Sequence, residues 1–504
     1  MRLCVNRLPL SPPALHRRSF HHVSALAKDK AKNSAIFEDS LEKTLELHRT
    51  TNRQGLIRKV FRRSDSENPV QSTPSAGKPP QLDEHVFIGP LASQNQLSKA
   101  NLEVSRHEDG PMTRESPVGA PVSWSARNGK PKQYPWLVRM EHAPRFTGGF
   151  AQLDAELRAL EQYLMPTTHE DAVTDQVAAN LIKHLTSIES TTGFHIIGSR
   201  CTGFAMSDSD VNIMVTFPDG QWVDDFRKPS ANRPERLLRY RRFLDQTLSS
   251  LEKLPNYRSR GVERLRLLAV DHMPTSVRLR LYCGEHIPAS LHYIQDFHAE
   301  YPTLRAMYMA TRLILESRRA FRHVIDPLAL QMLIAAFLKM NHGRFRRDAA
   351  EPLLLFLHTL GTEVDFTSSG VAVDPPGFFT TESVKEESAQ YSDLNDLPAH
   401  LRGQRALLKS KRRAAAGGDK AVTGRLCLQD PANYMKDLGS LSSRTPDMQS
   451  AFADAGRRLV YALDSWEPSR PLSARTSILG AALRTNFEDF EARRAKIVGT
   501  GLGL

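Results

Sequence analysis

Residues 194–217 constrain the fold of this chain more than any other segment. Two short apolar runs, Phe194 to Ile197 and Val211 to Phe217, predict a pair of strands. Between them, Gly198-Ser199 would let backbone amides and a hydroxyl approach a phosphate closely, because glycine has no side chain to prevent it. Alternate residues share one face of a strand, and three polar residues are spaced in this way: Asp208, Asp210 and Asn212. Taken alone, the pattern fits either a magnesium and phosphate site or a Gly-Ser turn before an Asx-rich hairpin.

The flanking sequence is helical on both sides of a region rich in strands. Leucines at helical spacing within 153–164 and apolar residues within 173–185 predict two helices before the segment. Two more strands are predicted at 265–270 and 277–282, and apolar helices at 307–315, 328–340 and 352–360. This order predicts an α+β fold in which a mixed sheet packs against a helical domain, with a cleft between them.

The segment from Gly198 to Ile213 resembles a known signature. Its Gly-Ser-x-x-x-Gly spacing, followed by Ser-Asp-Ser-Asp, is similar to the motif of the DNA polymerase β-like nucleotidyltransferases, above all the poly(A) and terminal uridylyl polymerases. Residues 426–433, which contain Asp430-Pro431, resemble the nucleotide-recognition motif of that family. Three further stretches, 353–356, 364–366 and 371–373, resemble the core of its poly(A)-polymerase-associated domain.

The resemblance implies a domain organisation and an activity. It implies a palm domain with preceding helices at 134–300, a helical poly(A)-polymerase-associated domain at 301–470 with a mobile insertion at 380–424, and a C-terminal tail at 471–504. The implied reaction adds AMP or UMP units to RNA 3′ ends, with ATP or UTP as substrate and Mg²⁺ or Mn²⁺ as cofactor. The residues implied to bind nucleotide are Gly198, Ser199, Arg312, Asp430, Pro431 and Asn433.

The catalytic carboxylates depart from the family pattern. Members use three aspartates to bind two Mg²⁺ ions, and ungapped alignment places Asp210 at the first position and Asn212 at the second. Asparagine offers a metal a carbonyl oxygen but no negative charge. The third position falls on Arg280, whose guanidinium would repel Mg²⁺ and is expected to pair with Asp210.

Other alignments leave alternatives open. If the loop after Gly203 is two residues shorter than usual, Asp208 and Asp210 become the metal-binding pair, and Asp271 is either a displaced third ligand or a turn residue. Arg312 and Glu316 replace two triphosphate-binding lysines, or else form the solvated face of a helix. The substrate-contacting Ser-Ser-Tyr of the family is replaced by Asp326-Pro327-Leu328.

The N-terminal sequence predicts a mitochondrial address. Residues 1–28 are basic, contain serines and histidines, and lack Asp and Glu, as expected of a transit peptide for the mitochondrial matrix. Residues 29–133 are polar and predict a disordered linker. The net charge of +12 favours a polyanionic partner. The basic run within 402–413 is either a solvated face or an RNA contact, and no apolar run approaches the length of a membrane span.

Two functional hypotheses follow from these features. In the first, the chain is a template-independent RNA 3′-end nucleotidyltransferase, with Asp210 and either Asp208 or Asn212 as catalytic residues and Asp210 and Asp208 as metal ligands. In the second, the cleft persists without the chemistry, and the chain acts as an RNA- or nucleotide-binding factor or as a partner of a mitochondrial RNA-processing protein. Substitutions at Asn212 and at the two aspartates separate the hypotheses.

Overall fold

The computed structural model describes residues 122–124, 134–140, 145–217, 233–264, 267–284, 287–318, 321–345, 348–393, 396–442, 444–468, 472–473 and 476–499. Apart from 233–235, these residues belong to one compact unit formed by 116–218 and 236–504. The predicted transit peptide at 1–28 and nearly all of the predicted linker at 29–133 lie outside the described residues. Within the described part, no helix is both long and apolar enough to cross a membrane.

Helices and strands alternate along the described chain. The helices are α1 Gly149–Leu164, α2 Thr168–Ile188, α3 Ser199–Thr202, α4 Arg233–Leu251, α5 Ser290–Glu300, α6 Leu304–Glu316, α7 Phe321–Val324, α8 Pro327–Met340, α9 Ala350–His358, α10 Thr381–Ser388, α11 Ala399–Ala416, α12 Lys420–Thr423, α13 Thr445–Asp464, α14 Ile478–Ala482 and α15 Glu488–Gly499. The strands are β1 Gly193–Ile197, β2 Val211–Thr216, β3 Tyr257–Arg264, β4 Leu267–His272, β5 Val277–Gly284, β6 Ser369–Val373, β7 Pro376–Thr380, β8 Leu428–Asp430 and β9 Asn433–Asp437.

A five-stranded sheet forms the palm, in the order β1-β2-β5-β4-β3. Strands β2 and β5 are parallel and the other pairs are antiparallel, which confirms the predicted mixed sheet. Alternate residues of β2 and β5, among them Ile213 and Leu279, are fully buried against apolar residues of α2 and α4 such as Leu181 and Leu244. The two central strands therefore have one apolar face in the palm core and one face turned away from it.

The helical core gathers α1, α6, α8, α9, α13 and α14 around side chains such as Leu157, Met307 and Phe452. Helix α1 was expected to belong with the palm, yet its leucines are buried in this helical core, and only α2 of the two preceding helices packs in the palm core. The predicted boundary at 134–300 is therefore wrong for α1. Helical spacing predicts which face of α1 is apolar, but it carries no information on which domain that face meets.

Residues 380–424 fold as helices α10, α11 and α12, which corrects the expectation of a mobile insertion. A second sheet, in the order β7-β6-β8-β9, supports them. Val384, Leu407 and Leu408 are buried in a small apolar cluster with residues of this sheet, and Lys411 is buried with its ammonium donating to the carbonyl of Phe366. Lys409, Arg412 and Arg413 of α11 are exposed, and the many basic residues of the helix concealed its apolar side in the sequence.

The C-terminal residues were expected to form a tail, but α14 and α15 are packed parts of the fold. Phe490 is fully buried in the helical core, and Ile497 is buried in the palm core. Arg494 of α15 is paired with Glu170, near the start of α2, at an Nε–Oε1 distance of 2.6 Å. Helix α15 thus contributes side chains to both cores.

Candidate active site

The cleft-side face of β5 carries arginines in place of apolar residues. Val277, Leu279 and Leu281 are buried in the palm core, and the residues between them, Arg278 and Arg280, lie on the opposite face. The parallel register pairs Asn212 of β2 directly with Arg280 of β5. The second and third positions of the expected carboxylate triad are therefore neighbours in the sheet, as the alignment requires. Asn212 places an amide at the second position, and Arg280 places a guanidinium at the third.

Asp210 lies immediately before β2 and faces both arginines. Its Oδ2 is 3.0 Å from Arg280 Nη2, and its Oδ1 is 4.0 Å from Arg278 Nη1. The Asp210 side chain is only 12% exposed, so little water competes with these contacts. The predicted pairing of Arg280 with Asp210 is confirmed, and the carboxylate at the first metal position is held by a guanidinium.

Asp271 belongs to β4 and is not a turn residue; its carboxylate is paired with two arginines. Its side chain is 1% exposed, with Arg260 Nε 2.8 Å from Oδ2 and Arg278 Nε 3.2 Å from Oδ1. The antiparallel register of β4 and β5 places Asp271 opposite Arg278. The turn alternative for this residue is wrong because β4 continues through Asp271 to His272 before the turn begins.

Asp208 lies in a turn ahead of β2, so the expected alternation on one strand face does not extend to it. Ser209 closes the turn, because its amide donates to the Met206 carbonyl over 2.9 Å and its hydroxyl accepts from the Met206 amide over 2.8 Å. One carboxylate oxygen of Asp208, Oδ1, is buried and has no hydrogen-bond partner among the described residues. Burial lowers the pKa of the nearby Arg200, and the charge of Asp208 acts against that shift.

The Gly-Ser loop is fitted closely against Asn212. Gly198 has φ of +76°, and a Cβ at this position would lie 2.7 Å from Asn212 Nδ2. Both the left-handed backbone and the contact require glycine here. Ser199 begins α3 directly after this glycine. The loop and the Asn212–Arg280 pair thus form one continuous surface across β1, β2 and β5.

Arg312 faces the palm from helix α6 and is not on a solvated helix face. Its residue exposure is 8%, its Nε is 3.6 Å from Glu316 Oε1, and its guanidinium lies 5.2 Å from the centre of the Phe321 ring. Burial acts to lower the pKa of Arg312, but interactions with Tyr308, Glu316 and Asp208 outweigh it and raise the pKa. The solvated-face alternative for Arg312 and Glu316 is wrong, and Arg312 is close enough to interact with Asp208.

The Asp430-Pro431 segment forms the turn between β8 and β9. Asp430 is 1% exposed; its Oδ1 accepts from the Ala432 amide over 2.9 Å and its Oδ2 is 3.0 Å from Lys436 Nζ. Asn433 is exposed and its Oδ1 accepts from the Met435 amide over 3.2 Å. Asp326 caps the N-terminus of α8 by accepting from the Leu328 amide over 2.9 Å. Burial raises the pKa of Asp326, and the charge of Lys436 opposes this rise, so the hairpin lies near the start of α8.

Comparison with solved structures identifies the architecture. The chain matches the polymerase core of TRAMP, an RNA surveillance complex, with a TM-score of 0.52 and 16% sequence identity over 70% of this chain and 99% of that chain. The fold is that of a nucleotidyltransferase. Weaker matches are mtPAP in complex with UTP (TM-score 0.48, 13% identity, 75% of this chain and 80% of that chain) and terminal uridylyl transferase 4 from Trypanosoma brucei with bound UPU (TM-score 0.45, 12% identity, 66% and 99%). No protein-family model matches the chain.

The side chains on this nucleotidyltransferase fold do not fit a two-metal centre. Within the described ranges, no group of three His, Cys, Asp or Glu side chains is arranged to hold a metal ion. Asp210 is paired with Arg280, Asp271 with two arginines, and Asn212 lies against Gly198. Two divalent cations about 4 Å apart need several negative ligands, and Asp210 and Asp271 on this surface of the palm are already paired with guanidinium groups.

Proposed function

We propose that this chain is a non-catalytic relative of the poly(A) and terminal uridylyl polymerases, and that it binds nucleotide and RNA 3′ ends in the cleft without extending the RNA. The observation that carries this proposal is the contact between Arg280 and Asp210, with 3.0 Å between Nη2 and Oδ2. In an active centre, the same carboxylate would have to bind metal. A metal ion could reach Asp210 only by displacing a partly buried guanidinium.

The parts of the cleft that would bind nucleotide do not depend on the missing carboxylates. Gly198 keeps the positive φ that lets the Gly-Ser loop pass close to a phosphate, and Arg312 supplies a charged donor from the helical domain. The Asp430-Pro431 hairpin is held rigid by hydrogen bonds within the turn. These features support binding of ATP or UTP as a ligand.

RNA is the polyanion that we propose as the partner of the chain. The formal net charge of +12 falls to +7 when the five positive charges of residues 1–28 are left out, and this excess favours a polyanion; the matching polymerase core belongs to an RNA surveillance complex. The acid-free N-terminal sequence at 1–28 supports a site of action in the mitochondrial matrix, where a partner protein of the RNA-processing machinery would bring the substrate. Fusion of residues 1–40 to a fluorescent reporter tests the location, and a cytosolic reporter would contradict it.

One observation favours a second candidate, an RNA 3′-end nucleotidyltransferase of low activity. The buried Oδ1 of Asp208 has no hydrogen-bond partner among the described side chains and backbone. Buried carboxylate oxygens normally have such a partner, so a bound metal ion would explain this atom. In this candidate, Asp208 and Asp210 would be the metal ligands, with Mg²⁺ or Mn²⁺ as cofactor.

A single extension assay separates the two candidates. Purified protein is incubated with a short RNA, each nucleoside triphosphate in turn, and Mg²⁺ or Mn²⁺, for the wild type and for Asp208→Ala, Asp210→Ala and Asn212→Asp. We expect no extension by any of the four proteins, together with RNA binding that weakens as salt rises. Extension that is lost in both alanine variants would establish the second candidate and refute the first.

A further inference from the structure

Four arginines from three separate elements surround Asp208 and Asp210. Arg278 and Arg280 come from β5, Arg200 from α3 and Arg312 from α6. Arg280 and Arg278 face Asp210, and the charges of Asp208 and Asp210 both act on Arg200, while that of Asp208 acts on Arg312. Asp208 and Asp210 thus lie among four guanidinium groups, three of which also pair with other carboxylates: Arg278 with Asp271, Arg200 with Asp171 and Arg312 with Glu316.

Several donors of these arginines lack a hydrogen-bond partner. Arg278 Nη2, Arg200 Nε and Arg312 Nε are buried and have no hydrogen-bond acceptor among the described residues, and Arg312 Nε has only the ion pair with Glu316 Oε1 at 3.6 Å. The side chains themselves are at least nine-tenths buried, with exposures of 5%, 8% and 10%. A buried donor that stays unpaired costs about 1–3 kcal/mol, so such donors are normally satisfied by a ligand or by water. Three of them around one surface indicate a binding site for an anion with several oxygens.

The position of Arg280 relative to the Gly-Ser loop shows which anion fits. Asn212 is the register partner of Arg280 on one side, and its Nδ2 approaches Gly198 on the other. Arg280 is thus separated from the loop by the width of one strand. A phosphate chain that begins at Ser199 would reach the Arg280 guanidinium, which is where the family's fold places a metal-binding carboxylate.

We propose that Arg280 replaces the metal ion, so that this cleft binds the phosphates of a nucleotide or of an RNA 3′ end without a divalent cation. A guanidinium has a permanent positive charge and a planar set of donors that matches phosphate oxygens. Asp210 acts as a positioning residue, because its pairing with Arg280 fixes the guanidinium on the cleft face of β5. The inference rests on the proposed function and adds to it a metal-independent mode of binding.

Substitution of Asp210 distinguishes the proposed site from a metal site, because the two sites predict opposite changes in ligand binding. In a metal site, Asp210→Asn removes a ligand and weakens binding of the nucleotide–metal complex. In the site proposed here, the same change removes a negative charge beside the phosphate but keeps an amide oxygen that can still accept from Arg280, so the guanidinium stays in place and binding tightens. Arg280→Gln should have the opposite effect, since it removes the positive charge while keeping a long polar side chain.

The experiment measures binding of ATP, of UTP and of a short 3′-hydroxyl RNA to the full chain by calorimetry, in Mg²⁺ and in EDTA. We expect wild-type dissociation constants in the two buffers to agree within about threefold, Arg280→Gln to weaken binding by about tenfold or more, and Asp210→Asn to tighten it. Arg457→Gln is the matched charge control, because Arg457 is 76% exposed on the helical domain and its replacement should leave binding unchanged. Thermal unfolding of each variant verifies that it is folded.

The possible outcomes separate this inference from the proposed function. Binding in EDTA that depends on Arg280 supports the inference, and the nucleotide and RNA arms identify which ligand supplies the phosphate. Binding that requires Mg²⁺, or that is lost in Asp210→Asn, overturns metal-independent binding but leaves a nucleotide-binding cleft. Absence of binding by nucleotide and RNA in both buffers overturns the inference and the proposed function together.

Discussion

Asp271→Ala tests whether the buried charges of the palm sheet are structural. Two guanidinium nitrogens lie 2.8 Å and 3.2 Å from its carboxylate oxygens, and the side chain is 1% exposed. At an effective dielectric constant of about 20, one such contact at 3 Å is worth about 5 kcal/mol before the loss of hydration is subtracted. Removing one partner of a buried pair leaves the other charge uncompensated, so we expect the variant to lose about 3–5 kcal/mol of unfolding free energy.

The assay is urea unfolding of the full chain, followed by circular dichroism. Asp271→Asn retains the size and an acceptor oxygen, and should lose less than the alanine variant because Arg278 keeps a hydrogen-bond partner. Asp447→Ala is the control: Asp447 forms an exposed pair with Arg444, and such pairs are worth about 0–1 kcal/mol. If Asp271→Ala loses no more unfolding free energy than Asp447→Ala, the buried pairing of Asp271 with Arg260 and Arg278 is refuted.

Three further changes test other parts of the structure. Gly198→Ala should destabilise the chain by about 1–3 kcal/mol in thermal unfolding, with partial recovery in the double variant that adds Asn212→Ala, since φ is positive and the new Cβ would meet Asn212 Nδ2. Burial raises the pKa of Glu156, so the folded state binds more protons than the unfolded state and stability should fall as pH rises above about 4.3, whereas Glu156→Gln should remove this slope. Phe490→Ala should cost about 3–5 kcal/mol in urea unfolding, while a loss near zero would mean that α15 does not pack as described.

The features that sequence predicted well are those with a strong local pattern. The leucines of α1 and the apolar stripe of α2 have helical spacing, and both helices form where the spacing indicates. The Arg280–Asp210 pair was also predictable, because the alignment placed Asp210 just before one strand and Arg280 on another strand of the same site. Strand pairing then brings opposite charges together without further information.

The features that sequence missed depend on tertiary contacts. Asp271 is followed by a Met-Pro-Thr turn, and nothing local shows that Arg260 and Arg278 would flank it in a strand. In α11 six residues are Lys or Arg and only three are leucines, so Leu407 and Leu408 gave too weak a signal for a packed helix. Arg312 was ambiguous because its surroundings include Phe321 and Asp208, which lie outside α6, and no pattern within α6 can indicate them.

The two faces of β2 and β5 explain how this fold can persist while its chemistry changes. Side chains alternate along a strand, so the residues that hold the palm core, such as Ile213 and Leu279, are not those that face the cleft, such as Asn212 and Arg280. Replacing a carboxylate by arginine on the cleft face leaves the apolar core unaltered, provided that the new charge finds a partner. Asp210 is that partner here, at 3.0 Å. In a catalytic site, the carboxylate of Asp210 would hold a metal ion. Here it neutralises Arg280 and thereby contributes to stability, while Arg280 excludes the metal ion.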